Sequence, residues 1–495
     1  DFVNRTFLYY KLIKKGYGGR LLRVIQSMFS KSGARVRWQG QLGSNIDSTH
    51  GVLPGGIVSP KLFNLFLSDM NEYLDQNNGI AINNVTFTHL LYADDLVLVS
   101  DSVTGMQKHL DNLAAYCKKW HLLINSEKSK IMVVQPSRRQ LTNEISHKFS
   151  IDGDELQVVQ SYKYLGHIIS STGKIYDMMH DHLTSQAQKA MHALKEHVKS
   201  TVGYLPANVY LKMFDSHIMP ILEYHSEIWF SLKEIDKLEK IQLHFLKNLL
   251  GVRLQTSTVA VLADTGRFQL LYRQQAAAIK YWERLKTGNC ALLLRECHDI
   301  QTYLLQKKQP CWLSRIHKLF GNLTVNPNDN PNVNILIARL YDQAKSKMLA
   351  DINDSNKNPK LRTYKLFKKD MRLEPYLNMN LPRCLYQSIA RFRLSSHNLH
   401  IELGRHKRPY IEAGERLCKR CNSDQVEDEF HCLMCCEKWD MLRTNLFEVA
   451  SKKIENFLIF HPKEQFLSIL CDKDCEVNFA LSKYLATVLK TDNIV

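Results

Sequence analysis

The sequence predicts an α+β chain in which a first third of short helices and antiparallel hairpins gives way to a long helical remainder and a small Cys/His module. Three observations carry that expectation. Apolar residues recur at both helical and strand spacing before about residue 170, and almost only at helical spacing after 175. Glycines punctuate the first part at Gly16, Gly18, Gly19, Gly40 and Gly51 to Gly56. Five of the twelve cysteines crowd between Cys418 and Cys436.

Taken in order, residues 2–29 place Leu8 and Leu12, then Leu21, Leu22, Ile25 and Met28, on two helical patterns. Arg35, Val36, Arg37 and Trp38 alternate like a basic strand turning at Gly40. Ser59 is suited to an N-cap and Pro60 to a first helical position, so a helix is expected from Pro60 to about Asp75. A hairpin around Asp94 follows, then a helix from Gly105 to Trp120 and short strands near Met132 and Ile168. Beyond 175, Leu183, Ala187, Ala190, Leu194 and Val198 form one helical stripe, and Pro206 opens another helix. Asn326 to Asn334 and Asp351 to Pro359 read as surface linkers, and a helical tail closes the chain.

At 495 residues the chain is long enough for about three structural units. Its 44% apolar and 23% charged residues match a folded protein and exclude wholesale disorder. A net charge of +17 favours a polyanionic partner, nucleic acid above all. No apolar run reaches membrane-spanning length, so no membrane partner is expected. Cysteines this sparse make no disulfide scaffold, and their clustering points to a reducing compartment and a metal. Because residue 1 is Asp1, the sequence reads as a piece of a longer polypeptide.

Two acids, Asp94 and Asp95, fall between Leu90–Tyr92 and Leu96–Val99, at a bend between strands expected to be buried. Buried carboxylates need compensation, which a hard divalent cation supplies; the alternative is a pair of solvated turn residues. The Gly51 to Phe63 segment delivers the chain to a helix N-terminus whose amides suit phosphate. Cys418, Cys421, His431 and Cys436 offer four ligands at a spacing suited to tetrahedral zinc, with Cys432 and Cys435 as possible substitutes and buried free thiols as the alternative. Arg35, Arg37 and Trp38 could meet a strand by charge and stacking, unless Trp38 is buried. Lys365, Lys368, Lys369 and Arg372 fall on one helical face, a phosphate contact or a solvated surface. His180, His182, His192 and His197 read as packing or surface residues.

Tyr92-Ala-Asp-Asp95 taken with Gly51 to Phe63 resembles the palm of a reverse transcriptase, and the segment order resembles non-LTR, LINE-type retrotransposons of the jockey-like and RTE-like groups. Further likenesses are Trp120 to Asn125 with Ser126 to Met132, Tyr162 to Gly166, Met219 to Tyr224, Ser226 to Trp229, Ala390 to His397 and the terminal Cys/His spacing. The resemblance implies partial fingers and palm over 1–170, a helical thumb and connection over 171–325, a linker and basic segment over 326–410, a zinc-knuckle-like module over 411–445 and a helical tail over 446–495. It implies RNA-directed DNA synthesis from an RNA template and a DNA target or primer with deoxynucleoside triphosphates, in the nucleus or in a cytoplasmic ribonucleoprotein.

By the same resemblance Asp94 and Asp95 hold Mg²⁺ or Mn²⁺, and Lys128 lies near the leaving phosphate. Tyr92, Gly55, Gly56 and Ser59 shape the nucleotide pocket, and Tyr164, Leu165 and Gly166 grip the primer. Cys418, Cys421, His431 and Cys436 hold Zn²⁺. The sequence departs from the family in two places. The family's third carboxylate belongs to a pattern Asp-x-x-x-Ala-Phe-Asp-x-Val, of which Asp1-Phe-Val3 matches only the end, so the first catalytic Asp is expected upstream of residue 1 and this chain alone is expected to be inactive. Pro54 stands where the family commonly has Gln. The alternative is a non-catalytic, nucleic-acid-binding remnant of a retroelement.

Overall fold

The computed structural model describes residues 3–30, 32–53, 55–83, 85–134, 147–171, 175–201, 205–233, 235–288, 290–329, 331–421 and 423–490. Asp1 and Pro54 lie outside them. Two compact units divide the chain, Asp1–Met179 with Cys290–Leu304, and His180–Asn289 with Leu305–Val495.

The first unit is α+β. Helices Arg5–Lys14 and Gly19–Ser30 are separated by the predicted glycines, and Ser59–Leu67 and Val103–Trp120 follow. Ser102 caps the last by accepting from the Gly105 amide, and His121 ends it in a left-handed conformation, φ 54°. The strands form two-stranded ladders rather than one sheet. Among the described residues six are antiparallel and one, Lys130–Ile131 with Gln157–Val158, is parallel. The helices close on a core of Leu8, Leu12, Phe29, Phe66, Tyr116 and Trp120. Each such side chain contributes about 1.5–3 kcal/mol of burial free energy.

One charge is buried in that core. Lys11 Nζ donates to Phe66 O at 2.7 Å, Asp69 Oδ1 at 2.6 Å and Tyr116 Oη at 2.9 Å, and lies 3.8 Å from the centroid of the Trp120 ring. It joins three segments, and burial holds its ammonium below the usual lysine range against the opposing pull of Asp69.

The second unit is helical. Its apolar core includes Phe230, Ile279, Trp282, Ile316, Phe320 and Leu336. Arg393, fully buried, pairs with Asp264 Oδ1 at 3.1 Å and Glu374 Oε2 at 2.6 Å and donates to Leu470 O at 2.6 Å. Tyr364 and Tyr376 donate to the two oxygens of Asp264. Three side chains cap the Asp236–Leu250 helix: Arg383 donates to Asn248 O at 3.4 Å, Gln387 to Leu249 O at 2.9 Å, and Arg391 to Gly251 O at 2.7 Å. The last helix, Cys475–Lys490, packs along Arg383–Arg393 and buries Leu481, Leu485 and Val488.

Several expectations need correction. Pro206 is the N-cap of Ala207–His217 rather than its first residue. Asn326 to Asn334 holds a short 3₁₀ turn, Pro327–Asp329, and then Asn332, whose side chain caps Val333–Asn353. Asp351 to Pro359 is no free linker: Ile352 is buried, Asn358 donates to Asp351 O at 2.9 Å and accepts from Ser257 Oγ at 2.7 Å. The basic helical face at 365–372 does not form. The Tyr364–Phe367 helix is one turn long, and Lys368 turns inward, buried beside Glu374 and bonded to Arg372 O at 2.8 Å.

Candidate functional site

The two acids stand at the tip of a regular hairpin, His89–Tyr92 against Asp95–Leu98, with Tyr92 opposite Asp95. Only Ala93 and Asp94 remain for the loop, and Ala93 takes φ 53°, a left-handed conformation ordinarily left to Gly. The tip is held in place because Leu96 and Leu98 pack against the first-unit core. The strands are not buried as the sequence suggested. Leu90, Leu91, Tyr92, Asp94 and Asp95 are exposed, Tyr92 at 65%, so the carboxylates project from the surface and need no internal partner. Among the described residues no third His, Cys, Asp or Glu donor joins them. Two exposed carboxylates offer hard oxygen ligands of the kind a divalent cation takes, yet fewer than a closed site supplies.

Val52 and Leu53, at the entry to the glycine loop, pack against that core as well. Arg5 fixes the entry: its guanidinium donates to Gly51 O at 3.0 Å, Ser48 O at 2.5 Å, Phe29 O at 3.2 Å and His50 O at 3.2 Å, and Gly51 N donates to Val3 O at 2.8 Å. Gly55 has φ 76° and open space around the position of a missing Cβ, whereas a Cβ on Gly56 would fall 2.7 Å from Ser59 Oγ. Ser59 is not an N-cap. Val58 is, without a side-chain bond, and Ser59 is the first, buried helical residue, its hydroxyl donating to Leu53 O at 2.7 Å. Its amide donates to Gly56 O at 3.1 Å and Pro60 has no N–H, so the helix start presents fewer free amides than the sequence implied.

The third segment is a second hairpin. Ser161–Tyr164 pairs with His167–Ser170, Tyr164 opposite His167, leaving Leu165 and Gly166 as a two-residue loop with φ 47° and 78°. Positive φ at both positions is the demand of a type I′ turn, so Gly166 serves the turn itself rather than a close backbone approach. Burial and then the Asp95 carboxylate raise the Tyr164 phenol above its usual range, which sets these two residues in one electrostatic neighbourhood. Tyr162 Oη donates to Lys128 O at 3.2 Å. Lys128 itself is exposed, its amide held by Asn125 Oδ1 at 3.0 Å.

The Cys/His cluster lies in the second unit. A bridge between Leu417 and Val426, with Cys418 N donating to Gln425 O at 2.8 Å and Glu427 N to Arg416 O at 2.9 Å, closes a knuckle carrying Cys418 and Cys421. His431 and Cys436 come from a single π-helical turn, closed by Cys436 N donating to His431 O at 2.8 Å. In an α-helix residues five apart point about 140° from each other; the wider turn brings both to one side. The four ligand atoms lie within 4.8 Å of one another, with Cys418 Sγ to Cys436 Sγ at 4.0 Å and Cys421 Sγ to His431 Nε2 at 3.4 Å. A tetrahedral ion with metal–sulfur bonds of about 2.3 Å requires sulfurs ~3.8 Å apart, so this donor set fits one.

The surroundings complete the fit. His431 Nδ1 lies 2.9 Å from Gln425 Oε1, an acceptor that places the ring proton on Nδ1 and leaves the Nε2 lone pair toward the thiols. Burial lowers His431 and raises Cys418, while burial and then Cys418 push Cys436 up to about 12. At Cys421 burial is outweighed by hydrogen bonds from Ser423 and its neighbours, and the thiol sits low. Cys432 and Cys435 stand outside the cluster. Cys432 is buried, which raises its thiol well above the usual range, and its carbonyl accepts from Tyr484 Oη at 2.6 Å.

Sequence reasoning missed the anchor of this module. Glu429, fully buried, accepts from Arg362 at 2.7 and 2.9 Å, Thr363 at 3.0 Å and Ser395 at 3.1 Å, and meets His397 Nε2 at 2.9 Å. Burial opposes its charge, but His397 and Arg362 outweigh it and hold the carboxyl far below the usual range. The signal available in the sequence is the Arg393-Leu-Ser-Ser-His397 string, which supplies Ser395 and His397. On the first unit the predicted basic hairpin forms, Arg37–Trp38 against Gln41–Leu42, and Trp38 is 74% exposed rather than buried.

A family profile described as reverse transcriptase (RNA-dependent DNA polymerase) matches residues 3–169. Among curated proteins, the RNA-directed DNA polymerase from mobile element jockey of Drosophila melanogaster is 23% identical over 293 residues, 58% of this chain and 31% of that protein. The Pol polyprotein from the type-2 retrotransposable element R2DM of the same organism is 24% identical over 179 residues, 35% of this chain and 17% of its own length. That from the type-1 element R2 of Nasonia vitripennis is 27% identical over 156 residues, 30% of this chain and 15% of its own. The chain thus spans under a third of the length of these three relatives.

Proposed function

We propose that this chain, which belongs through residues 3–169 to the reverse transcriptase family of non-LTR retrotransposons, contributes to RNA-directed DNA synthesis on an RNA template primed by target DNA. The observation that carries the reading is the convergence of three distant motifs: Asp95 on Tyr164, and Tyr162 on the Lys128 backbone. Residues 1–170 are then part of the fingers and palm, and the helices that follow the thumb and connection.

The carboxylates of Asp94 and Asp95 are the ligands for Mg²⁺ or Mn²⁺, which when bound neutralises phosphate charge and favours attack by the primer hydroxyl. Tyr92, Gly55, Gly56 and Ser59 shape the pocket for an incoming deoxynucleoside triphosphate, a role that the open space around Gly55 supports, and Lys128 offsets charge on the leaving phosphate. The Tyr164–Gly166 turn meets the primer. Cys418, Cys421, His431 and Cys436 hold Zn²⁺ as a structural ion. The net charge of +17 supports a nucleic-acid partner, and nuclear DNA is the corresponding site of action.

A second reading, a binding module that does not polymerise, is favoured by one observation: the described residues join no third carboxylate to Asp94 and Asp95. Primer extension on an RNA template with Mg²⁺ separates the two. The expected result is template–primer binding without extension by these 495 residues, and extension, abolished by Asp95→Asn, in a polypeptide that adds the missing acid. Robust cDNA synthesis by the 495-residue chain would overturn the expected inactivity, and extension unaffected by Asp95→Asn would overturn the site.

A further inference from the structure

The second unit contains a cavity of about 330 Å³ that the polymerase reading does not use. One wall is a face of the Ala207–His217 helix, on which Asn208, Leu211, Lys212 and Asp215 recur at helical spacing. Arg267, Arg273 and Tyr341 line it as well. Among the described residues Asp215 is the only acid lining it, and it is already paired with Arg267 at 2.8 Å. Glu223 neutralises Arg273, meeting it with both oxygens. Lys212 has no acidic partner among the described residues, so the cavity carries one cation in excess.

Two groups lining the cavity are incompletely used. Both bonds that Arg267 makes, to Asp215 and to Leu211 O, leave from Nη2; among the described residues Nε and Nη1 bond to nothing. Asn208 Oδ1 is a buried acceptor without a partner, while its amide nitrogen is turned to Asn378. A buried acceptor left unpaired costs about 1–3 kcal/mol, which a ligand supplying an N–H or O–H recovers. Tyr341 with Phe268, ring centroids 5.2 Å apart, adds an aromatic border.

We infer that this cavity binds a phosphate-bearing ligand of nucleotide size, with phosphate toward Arg267 and Lys212, a hydrogen-bond donor of the base toward Asn208 Oδ1, and the ring beside Tyr341. The requirements converge: an anion for the unmatched cation, a donor for the orphan acceptor, a flat ring for the aromatic border, and a volume at the small end of ligand sites, about 300–1,000 Å³. A free nucleotide and the phosphorylated end of a strand share this chemistry. The site is in the other unit from Asp94 and Asp95, and does not depend on their role.

Isothermal titration of the full chain with deoxyadenosine 5′-monophosphate tests it, with inorganic phosphate and deoxyadenosine as the separate halves of the probe. Saturable binding of the nucleotide is expected, with phosphate alone weaker and deoxyadenosine undetectable. Lys212→Ala, at an exposed position, is expected to weaken binding at least fivefold, about 1 kcal/mol. Asn208→Ala removes the acceptor and is expected to reduce the preference for the nucleotide over bare phosphate. A 5′-phosphorylated oligonucleotide binding tenfold tighter than the mononucleotide identifies a strand end; equal or weaker binding identifies a free nucleotide. No saturable binding of nucleotide or phosphate at millimolar concentration, or binding unchanged in both variants, overturns the inference.

Discussion

The hydroxyl of Tyr162 donates to the main-chain carbonyl of Lys128 at 3.2 Å, across 34 positions of sequence. That bond, and the field of Asp95 on Tyr164, involve alternate residues of one strand, so one face of a single hairpin bonds the lysine segment and lies in the field of the acidic tip. Tyr162→Phe deletes the first link alone. Because the bond is exposed, the expected loss of stability is small, about 0.5–1 kcal/mol. Amide exchange should accelerate in residues 125–131 while the Val103–Trp120 helix stays protected; unchanged exchange in 125–131 would show that the bond does not hold the segment.

Arg5 is the strap on the glycine loop. Arg5→Ala leaves the carbonyls of Phe29, Ser48, His50 and Gly51 without their shared donor. Charged hydrogen bonds of this kind contribute about 1.5–3 kcal/mol. Limited proteolysis should therefore cut the 48–56 segment at least tenfold faster in Arg5→Ala, and Arg5→Lys should recover only part of the protection. Equal cleavage rates would remove Arg5 from this role.

Glu429 makes the Cys/His region sensitive to acid. Its folded-state carboxyl is held below the unfolded value, so the stabilisation is complete above the ordinary Glu range near pH ~4.3 and drains away as the pH falls toward the folded value. Glu429→Gln should cost about 3 kcal/mol at neutral pH, because it removes the carboxylate shared by Arg362 and His397 while Arg362 keeps Glu402 at 2.6 Å, and should flatten the acid limb of the stability curve. An acid limb of unchanged steepness would mean that other carboxylates govern it.

Gln425 has no metal-binding atom of its own in the cluster, yet it sets which nitrogen of His431 is free. Gln425→Ala should weaken Zn²⁺ by about 10–100-fold in competition with a chelating dye, leaving the tetrahedral absorption of bound Co²⁺ in place. His431→Ala should abolish that absorption. Loss of the cobalt spectrum in Gln425→Ala would instead mean that the knuckle had unfolded.

The parts legible in the sequence are those written in local spacing. The glycine-separated helices, the hairpin at Asp94, the helix to Trp120 and the clustering of Cys418, Cys421, His431 and Cys436 depend on residues close in sequence, where periodicity and turn chemistry act. Ser59 is ambiguous in sequence because the same residue can cap a helix or, as here, donate back to Leu53. The burial of Lys368, Arg393 and Glu429 was invisible for a different reason: their partners are set by packing, Asp264 lying 129 positions from Arg393 and Arg362 lying 67 from Glu429. No pattern in a single sequence announces such pairs. The exposed acids show the limit of the apolar run as a signal, since Leu90 and Leu91 read as buried and are not.

The final helix is less an appendage than a keystone. Tyr484 reaches the Cys432 carbonyl, Ser388 donates to Ser482 O at 3.1 Å, and Arg420 donates to Val488 O at 3.2 Å. Trimming the polypeptide at residue 445 to isolate a minimal finger would strip away one side of its seat, and a recombinant excerpt ending there should emerge insoluble even with metal in the medium.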